Sequence, residues 1–263
     1  MGEKIKELNP LGYKPVGKLL KSLAIPAIIA NLVNALYNVV DQIFIGQGIG
    51  YLGNAATNIA FPITTMCLAI GLTLGIGGAS NFNLELGKGY PEKSKHTAGT
   101  AASTLIIIGI ILCITVRIFL EPLMIGFGAT NKILEYSMEY TGITSYGIPF
   151  LLFSIGVNPL VRADGNAKYS MIAIVIGAIL NTILDPLFMF VYNWGIAGAA
   201  WATVISQIIS ALLLLIYFPK FKSVKFSLND FIPQLHYLKR IISLGFASFI
   251  YQFSNMIVLV TTN

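Results

Sequence analysis

Long apolar stretches, separated by short polar segments, follow one another along almost the whole chain. Each stretch is about 20–25 residues long, which is enough to cross a hydrocarbon core of about 30 Å at a rise of about 1.5 Å per residue. The pattern therefore predicts transmembrane helices. The predicted spans are residues 22–45, 55–80, 98–120, 138–160, 169–192 and 196–218, followed by a seventh helix that starts near residue 241.

The composition agrees with a membrane protein. Of the 263 residues, 56% are hydrophobic and only 11% are charged, whereas soluble domains carry about 25% charged residues. The net charge of +6 does not indicate nucleic-acid binding, because the basic residues lie in short segments between the apolar stretches. We therefore predict an all-α membrane protein that contacts the lipid bilayer and binds no nucleic acid.

The positions of the basic residues predict the orientation. If the N-terminus is cytoplasmic, all of the 17 lysines and arginines except Arg117 and Lys132 fall on the cytoplasmic side. Cytoplasmic loops carry an excess of Lys and Arg, so we predict a multi-pass protein with its N-terminus inside. The predicted organisation is a cytoplasmic N-terminal segment (1–21), a six-helix lobe (22–218), a cytoplasmic linker (219–240) and part of a seventh helix (241–263).

The seventh helix resembles the first at a constant offset. Such an internal repeat is typical of secondary transporters, so we expect this chain to be the N-terminal half of a two-lobe protein, either as a fragment or as a truncated frame. At the position that repeats Asp41 the second copy has Thr262. The matching residues are Ser22, Leu23, Ile29 and Asn34 with Ser243, Leu244, Ile250 and Asn255.

Two carboxylic acids stand inside predicted spans, Asp41 and Asp185. A charged side chain at mid-membrane costs roughly 2.5–3.5 kcal/mol on translocon scales. Counting from the span ends places both acids in the outer half of the membrane, together with Asn181 and Thr203. Asn181 and Asp185 are four residues apart and share one helix face. These four residues predict a proton or cation site, where Na⁺ would take carboxylate, amide and hydroxyl oxygens as ligands.

Two other interpretations of the acids stay open, and the role of the nearby prolines is open as well. Either acid could be solvated in the headgroup region, and both could be permanently protonated hydrogen-bonding groups. Pro186 removes the helical partner of the Thr182 carbonyl, which could free that oxygen for an ion or merely bend the helix. Pro26 acts in the same way on the first span, where a proton on Asp41 could bias a bend.

Five motifs occur in order along the chain and resemble the multidrug and toxic compound extrusion (MATE) family. The chain is most similar to its bacterial branch of NorM-like, DinF-like and MepA-like exporters. The motifs are DQIFIGQ at 41–47, GNAATNIAFPI at 53–63, VRADGNAKYSM at 161–171, NTILDPLFMF at 181–190 and GIAGAAWATVISQ at 195–207.

The resemblance implies twelve helices in two lobes, of which this chain would hold the N-terminal one. It implies a transporter of the bacterial cytoplasmic membrane that exports cationic, often aromatic compounds in exchange for Na⁺ or H⁺, with no other cofactor and no catalytic residues. The family's cation-site positions fall on Asp41, Asn181, Asp185 and Thr203. Its cavity-lining positions fall on Asn34, Tyr37 and Asn158.

Membrane aspartyl proteases also use two intramembrane Asp residues. A membrane aspartyl protease would need a Gly-x-Gly-Asp motif, and neither Asp41 nor Asp185 has one. A flippase for lipid-linked sugars shares a related architecture but would be expected to use a basic cavity, and a non-transporting half-transporter stays open. The glycines of GLTLGIGG at 71–78 predict close helix packing rather than a nucleotide loop, since they lie within an apolar span.

Overall fold

The computed structural model describes residues 15–262. Within that range the chain is helical, and most of the predicted N-terminal segment lies outside it. A 3₁₀ turn at Ser145–Gly147 joins two of the helices. The helices are α1 (Val16–Gly48), α2 (Tyr51–Gly87), α3 (Pro91–Ile118), α4 (Leu120–Gly126), α5 (Asn131–Thr144), α6 (Ile148–Ala163), α7 (Ala167–Pro186), α8 (Gly195–Tyr217) and α9 (Leu235–Thr262).

Six helical segments in residues 15–262 are long and apolar enough to cross a membrane. They are α1, α2, α3, the joined α5 and α6, α7 with the turn that follows it, and α8, which confirms the predicted six-span, all-α fold. The helices extend beyond the predicted spans because hydropathy marks only the hydrocarbon core. Helix α2 lies between two glycines whose backbones are left-handed, Gly50 at φ 82° and Gly89 at φ 84°.

Helix α6 lies at the centre of the bundle and packs against α2, α3 and α8. Its side chains Leu152, Val157 and Leu160 are fully buried in the main hydrophobic core. Helix α1 lies at the edge and packs mainly against α7. Large apolar side chains such as Leu20, Ile28 and Leu36 are exposed along α1, as expected for a helix that contacts lipid or a further part of the protein.

The glycine-rich stretch of α2 brings three helix backbones together. A Cβ on Gly75 would lie 2.6 Å from the carbonyl oxygen of Gly156 on α6, and one on Gly71 would lie 2.8 Å from the Ile155 side chain. Two residues after Gly75, a Cβ on Gly77 would meet the carbonyl oxygen of Ile241 on α9. The prediction that this stretch serves helix packing is confirmed.

The segment between α8 and α9 is docked on the bundle rather than extended. Asp164, which follows α6 and is fully buried, accepts hydrogen bonds from the Tyr217 hydroxyl at 2.8 Å and from the backbone N–H groups of Lys222 and Ser223 at 2.9 Å each. Helix α9 begins at Leu235, so the last six residues of the predicted linker are already helical. We define residues 219–234 as the strap.

Asp230 anchors the second half of the strap to α3. Its Oδ2 accepts hydrogen bonds from the backbone N–H and the hydroxyl of Ser227, and its Oδ1 lies 3.7 Å from Lys95 Nζ and 3.2 Å from His96 Nδ1. Burial raises the pKa of Asp230, but the Ser227 hydrogen bonds and the charges of Lys95 and His96 outweigh burial and leave this pKa below its ordinary value. The carboxylate therefore favours the docked strap.

Candidate cation site

The packing of α1 against α7 brings the two intramembrane acids together. Asp41 is 7% exposed and Asp185 is fully buried, and their carboxyl groups lie within hydrogen-bonding reach of each other. Both side chains are enclosed by protein rather than exposed at its surface. We define these two residues as the acidic pair.

Asn181 supports the acidic pair from one helical turn away. Its Nδ2 donates a hydrogen bond of 3.2 Å to Asp185 Oδ1, and its own side chain is buried. The predicted i, i+4 placement on one face of α7 is therefore present. The amide donor stabilises negative charge on Asp185, while its carbonyl oxygen stays available as an acceptor or ligand.

The acidic pair has more acceptors than donors. Asp41 Oδ1, Asp185 Oδ2 and Asn181 Oδ1 are buried, and none accepts a hydrogen bond from the described residues. Two facing carboxylates repel each other, and burial strengthens the repulsion. A shared proton or a small cation removes this repulsion. The carboxylate and amide oxygens of the site are suitable ligands for Na⁺, and the two carboxyl groups are equally able to share a proton.

Helix α7 loses its regular hydrogen bonding directly after Asp185. It ends at Pro186 and continues as a π-helical turn over Leu187–Val191. A proline has no N–H, so the Thr182 carbonyl lacks its usual helical donor, and π-bulges are frequent at functional sites. Helix α1, by contrast, is continuous through the buried Pro26.

Two tyrosines complete the surroundings of the acidic pair. Tyr140 on α5 and Tyr37 on α1 both lie close enough to interact electrostatically with Asp41 and Asp185. The Thr203 hydroxyl lies within hydrogen-bonding reach of the Tyr140 hydroxyl. Thr203 is thus joined to the acidic pair through Tyr140, a residue that the sequence interpretation missed because a tyrosine near a helix start is typical of an interfacial anchor.

The remaining predicted residues are placed differently. Asn158 is buried, and its amide is engaged with α7, where Nδ2 donates to the Ser170 carbonyl at 3.1 Å and Oδ1 accepts from the Ser170 hydroxyl at 2.8 Å. Asn34 is exposed on α1, and its backbone carbonyl accepts a 2.7 Å hydrogen bond from Asn38 Nδ2. Their roles in substrate binding stay predictions.

Comparison with known families decides the affiliation. The profile of the MatE family matches residues 26–187, which is more than half of the chain. The chain belongs to the MatE family. The matched range runs from Pro26 within α1 to the end of α7 and includes both members of the acidic pair.

Named relatives are multidrug transporters of this family. The chain is 26% identical over 238 residues to "Multidrug export protein MepA" of Staphylococcus haemolyticus, covering 89% of this chain and 52% of that protein. It is 28% identical to a structure described as the outward-facing conformation of a multidrug resistance MATE family transporter, with a TM-score of 0.85 and coverage of 98% and 56%.

A third relative is a MOP superfamily transporter from Pyrococcus furiosus, whose binding pocket is described as having reverse polarity that suggests a different function. It is 29% identical, with a TM-score of 0.85, covering 98% of this chain and 56% of that one. The chain thus spans about half the length of the relatives it matches, which agrees with an N-terminal lobe. These relatives are transporters rather than enzymes.

Proposed function

We propose that this chain forms the cation-coupling lobe of a secondary active antiporter, which exports cationic and often aromatic compounds in exchange for Na⁺ or H⁺. The observation that carries the proposal is the acidic pair of Asp41 and Asp185, buried at the contact of α1 and α7. A buried acid pair is costly unless it binds a cation or shares a proton. The uncompensated pair therefore attracts cations, and a cationic substrate and a coupling ion can compete for this one site.

Exchange follows from that competition. While the acidic pair holds a proton or Na⁺, its net charge is low and it attracts a cationic substrate weakly. After the ion leaves, the paired charges favour either the substrate or a new ion. Because α1 contacts the bundle mainly through α7, occupancy at this contact is suited to changing how α1 packs. Full alternating access requires the second lobe, which the resemblance implies.

The polarity of the site favours a cationic substrate over the anionic head group of a lipid-linked sugar. The polar groups of the site include the two carboxylates, the Asn181 amide and the hydroxyls of Tyr37, Tyr140 and Thr203. Anionic head groups would be repelled by the carboxylates. We further propose a location in the bacterial cytoplasmic membrane with the N-terminus inside, on the basis of the distribution of Lys and Arg.

The test is ethidium export by the full-length transporter that carries this lobe. We expect Asp185→Asn to abolish coupled export while expression stays near normal, because an amide is cheaper to bury than a carboxylate. Glu139→Gln is the matched control, since Glu139 is an exposed acid on α5, and it should leave export unchanged. Normal export by the Asp185→Asn protein over a range of pH and Na⁺ concentration would contradict the proposal.

A further inference from the structure

The strap has a basic and apolar surface on the side that faces away from the bundle. We define its three lysines, Lys220, Lys222 and Lys225, as the outer lysines. We propose that the outer surface of the strap binds anionic phospholipids, with the outer lysines on the lipid phosphates and Leu228 at the boundary of the acyl chains. The inference goes beyond ion-coupled export, and it uses the proposed orientation only to assign the lipid to the cytoplasmic leaflet.

The two sides of the strap differ in their surroundings. Phe221 is buried in the main hydrophobic core, and the backbone N–H of Lys222 donates to the buried Asp164 at 2.9 Å. The side chains of all three outer lysines are exposed. The backbone that carries these ammonium groups is therefore already ordered, which lowers the entropy lost when an anion binds.

The outer surface carries no compensating acid. Asp230 is the only acidic residue of the strap, and its buried carboxylate lies against Lys95 and His96 of α3. None of the outer lysines forms an ion pair with another residue of the range 15–262. Clusters of basic side chains directly beside a membrane span attract anionic lipids.

The first half of the strap lies where the exposed apolar face of α8 ends. The last exposed apolar side chains of α8 are Leu212, Leu215 and Ile216, as expected for contact with acyl chains. Lys220 follows Ile216 by four residues, about 6 Å at the helical rise. A lysine side chain at this depth reaches the phosphates with its ammonium group while its methylenes stay on apolar surface.

The second half of the strap lies at the matching level of α3. The backbone carbonyl of Asp230 lies against Gly99, and the exposed isoleucines of α3 begin at Ile106, about 10 Å further into the membrane. Leu228 is 88% exposed and Ile232 is 60% exposed. Apolar side chains of interfacial segments enter the headgroup and acyl boundary by about 5–10 Å, which removes these two from water.

The second lobe of a full-length transporter is the other group that would cover this surface. Lysine is depleted in protein–protein interfaces, and its compact ammonium group is strongly hydrated, so the outer lysines favour a hydrated and negatively charged partner. The surface is also continuous with the exposed apolar face of α8. Both features fit the headgroup layer of a bilayer rather than a packed protein surface.

The experiment uses the full-length transporter that carries this lobe, in nanodiscs with equal amounts of phosphatidylglycerol and phosphatidylcholine. In paired samples one of the two lipids carries a photoreactive diazirine on the first carbons of its acyl chain, and adducts on residues 219–234 are quantified by mass spectrometry. One lysine near an anionic surface corresponds to a preference of about fivefold. Allowing for screening by salt, we expect phosphatidylglycerol adducts to exceed phosphatidylcholine adducts roughly threefold or more, with Leu228 among the labelled residues.

Two triple variants with the same change in charge test the role of the outer lysines. Lys220→Gln, Lys222→Gln and Lys225→Gln together should bring the adduct ratio to about one. The control replaces three exposed lysines elsewhere on the predicted cytoplasmic side and should keep the native ratio. The control changes are Lys18→Gln, Lys21→Gln and Lys88→Gln.

The outcomes that overturn the inference are distinct. Equal adducts of the two lipids in the native protein, an unchanged ratio in the strap variant, or an equal loss in the control variant each remove the assigned role of the outer lysines. Adducts of neither lipid on the strap would show that the second lobe covers it. No export is measured, so failure of this inference leaves the proposed function standing, and failure of the Asp185→Asn test leaves the lipid result standing.

Discussion

Arg240 of α9 donates a hydrogen bond of 3.1 Å from its Nε to Oδ1 of Asn81 on α2. Asn81 is buried, and its Nδ2 in turn donates a hydrogen bond of 2.9 Å to the Thr97 hydroxyl of α3. The first turns of α9 are therefore tied to two helices of the six-span lobe. If α9 is the first helix of a second lobe, this contact joins the two lobes on the predicted cytoplasmic side.

The crossing of α2 and α9 depends on the absence of side chains at two glycines. A Cβ on Gly77 would meet the backbone of Ile241, and one on Gly245 would meet the backbone of Thr73. We expect Gly77→Ala to lower the thermal unfolding temperature by several degrees, because overpacking costs about 1–3 kcal/mol. Gly126→Ala, at a site with open space, is the control. Equal unfolding temperatures for the two variants would contradict the close crossing.

The strap should depend on Asp164. Replacing Asp164 by Ala leaves the Tyr217 hydroxyl and the N–H groups of Lys222 and Ser223 without this carboxylate, and a hydrogen bond to a charged group contributes about 1.5–3 kcal/mol. We expect faster cleavage of the strap in limited proteolysis. Tyr217→Phe removes one of the three hydrogen bonds and should have a smaller effect. Cleavage of Asp164→Ala at the native rate would show that the strap is held by other contacts.

Acid should loosen the strap through Asp230. Because the pKa of this group is lower in the folded protein than in the unfolded chain, its stabilising contribution is present above the ordinary pKa of about 4 and is lost as the pH falls through the folded value. Proteolysis of the strap should therefore rise at acid pH in the native chain.

Two variants identify the group responsible for this acid response. Asp230→Asn should be cleaved faster at neutral pH and respond less to acid. Glu92→Gln should keep the native acid response, since Glu92 pairs with Lys95 in an exposed position. If acid sensitivity is the same in Asp230→Asn as in the native chain, another group is responsible.

The turns between spans give a test of the proposed orientation. Single cysteines placed at Gln47 or Asn193 are expected to react with a membrane-impermeant maleimide added to intact cells, because the end of α1 and the turn before α8 would face outwards. A cysteine at Lys93 should react only after the cells are opened. Labelling of Lys93→Cys in intact cells, with protection of the other two, would reverse the assignment.

The sequence predicts the spans well because a run of about 20 apolar residues is a local property that needs no knowledge of neighbours. Asn181 and Asp185 were predictable for a similar reason, since their spacing fixes a common helix face. The contribution of Tyr140, by contrast, depends on which helices pack together. The strap was predicted as a plain linker, because nothing local shows that Asp164 will bind backbone groups nearly 60 residues later.

The acidic pair is tested most directly by a double-variant cycle on substrate-induced ion release. Purified full-length transporter in weakly buffered detergent is mixed with ethidium, and released protons or Na⁺ are counted for the native protein, Asp41→Asn, Asp185→Asn and the double variant. Residues that form one coupled site are non-additive, so each single variant should lose ion release almost completely and the double variant should be little worse. Native ion release by Asp41→Asn or Asp185→Asn, or two independent partial losses that add in the double variant, would contradict the account.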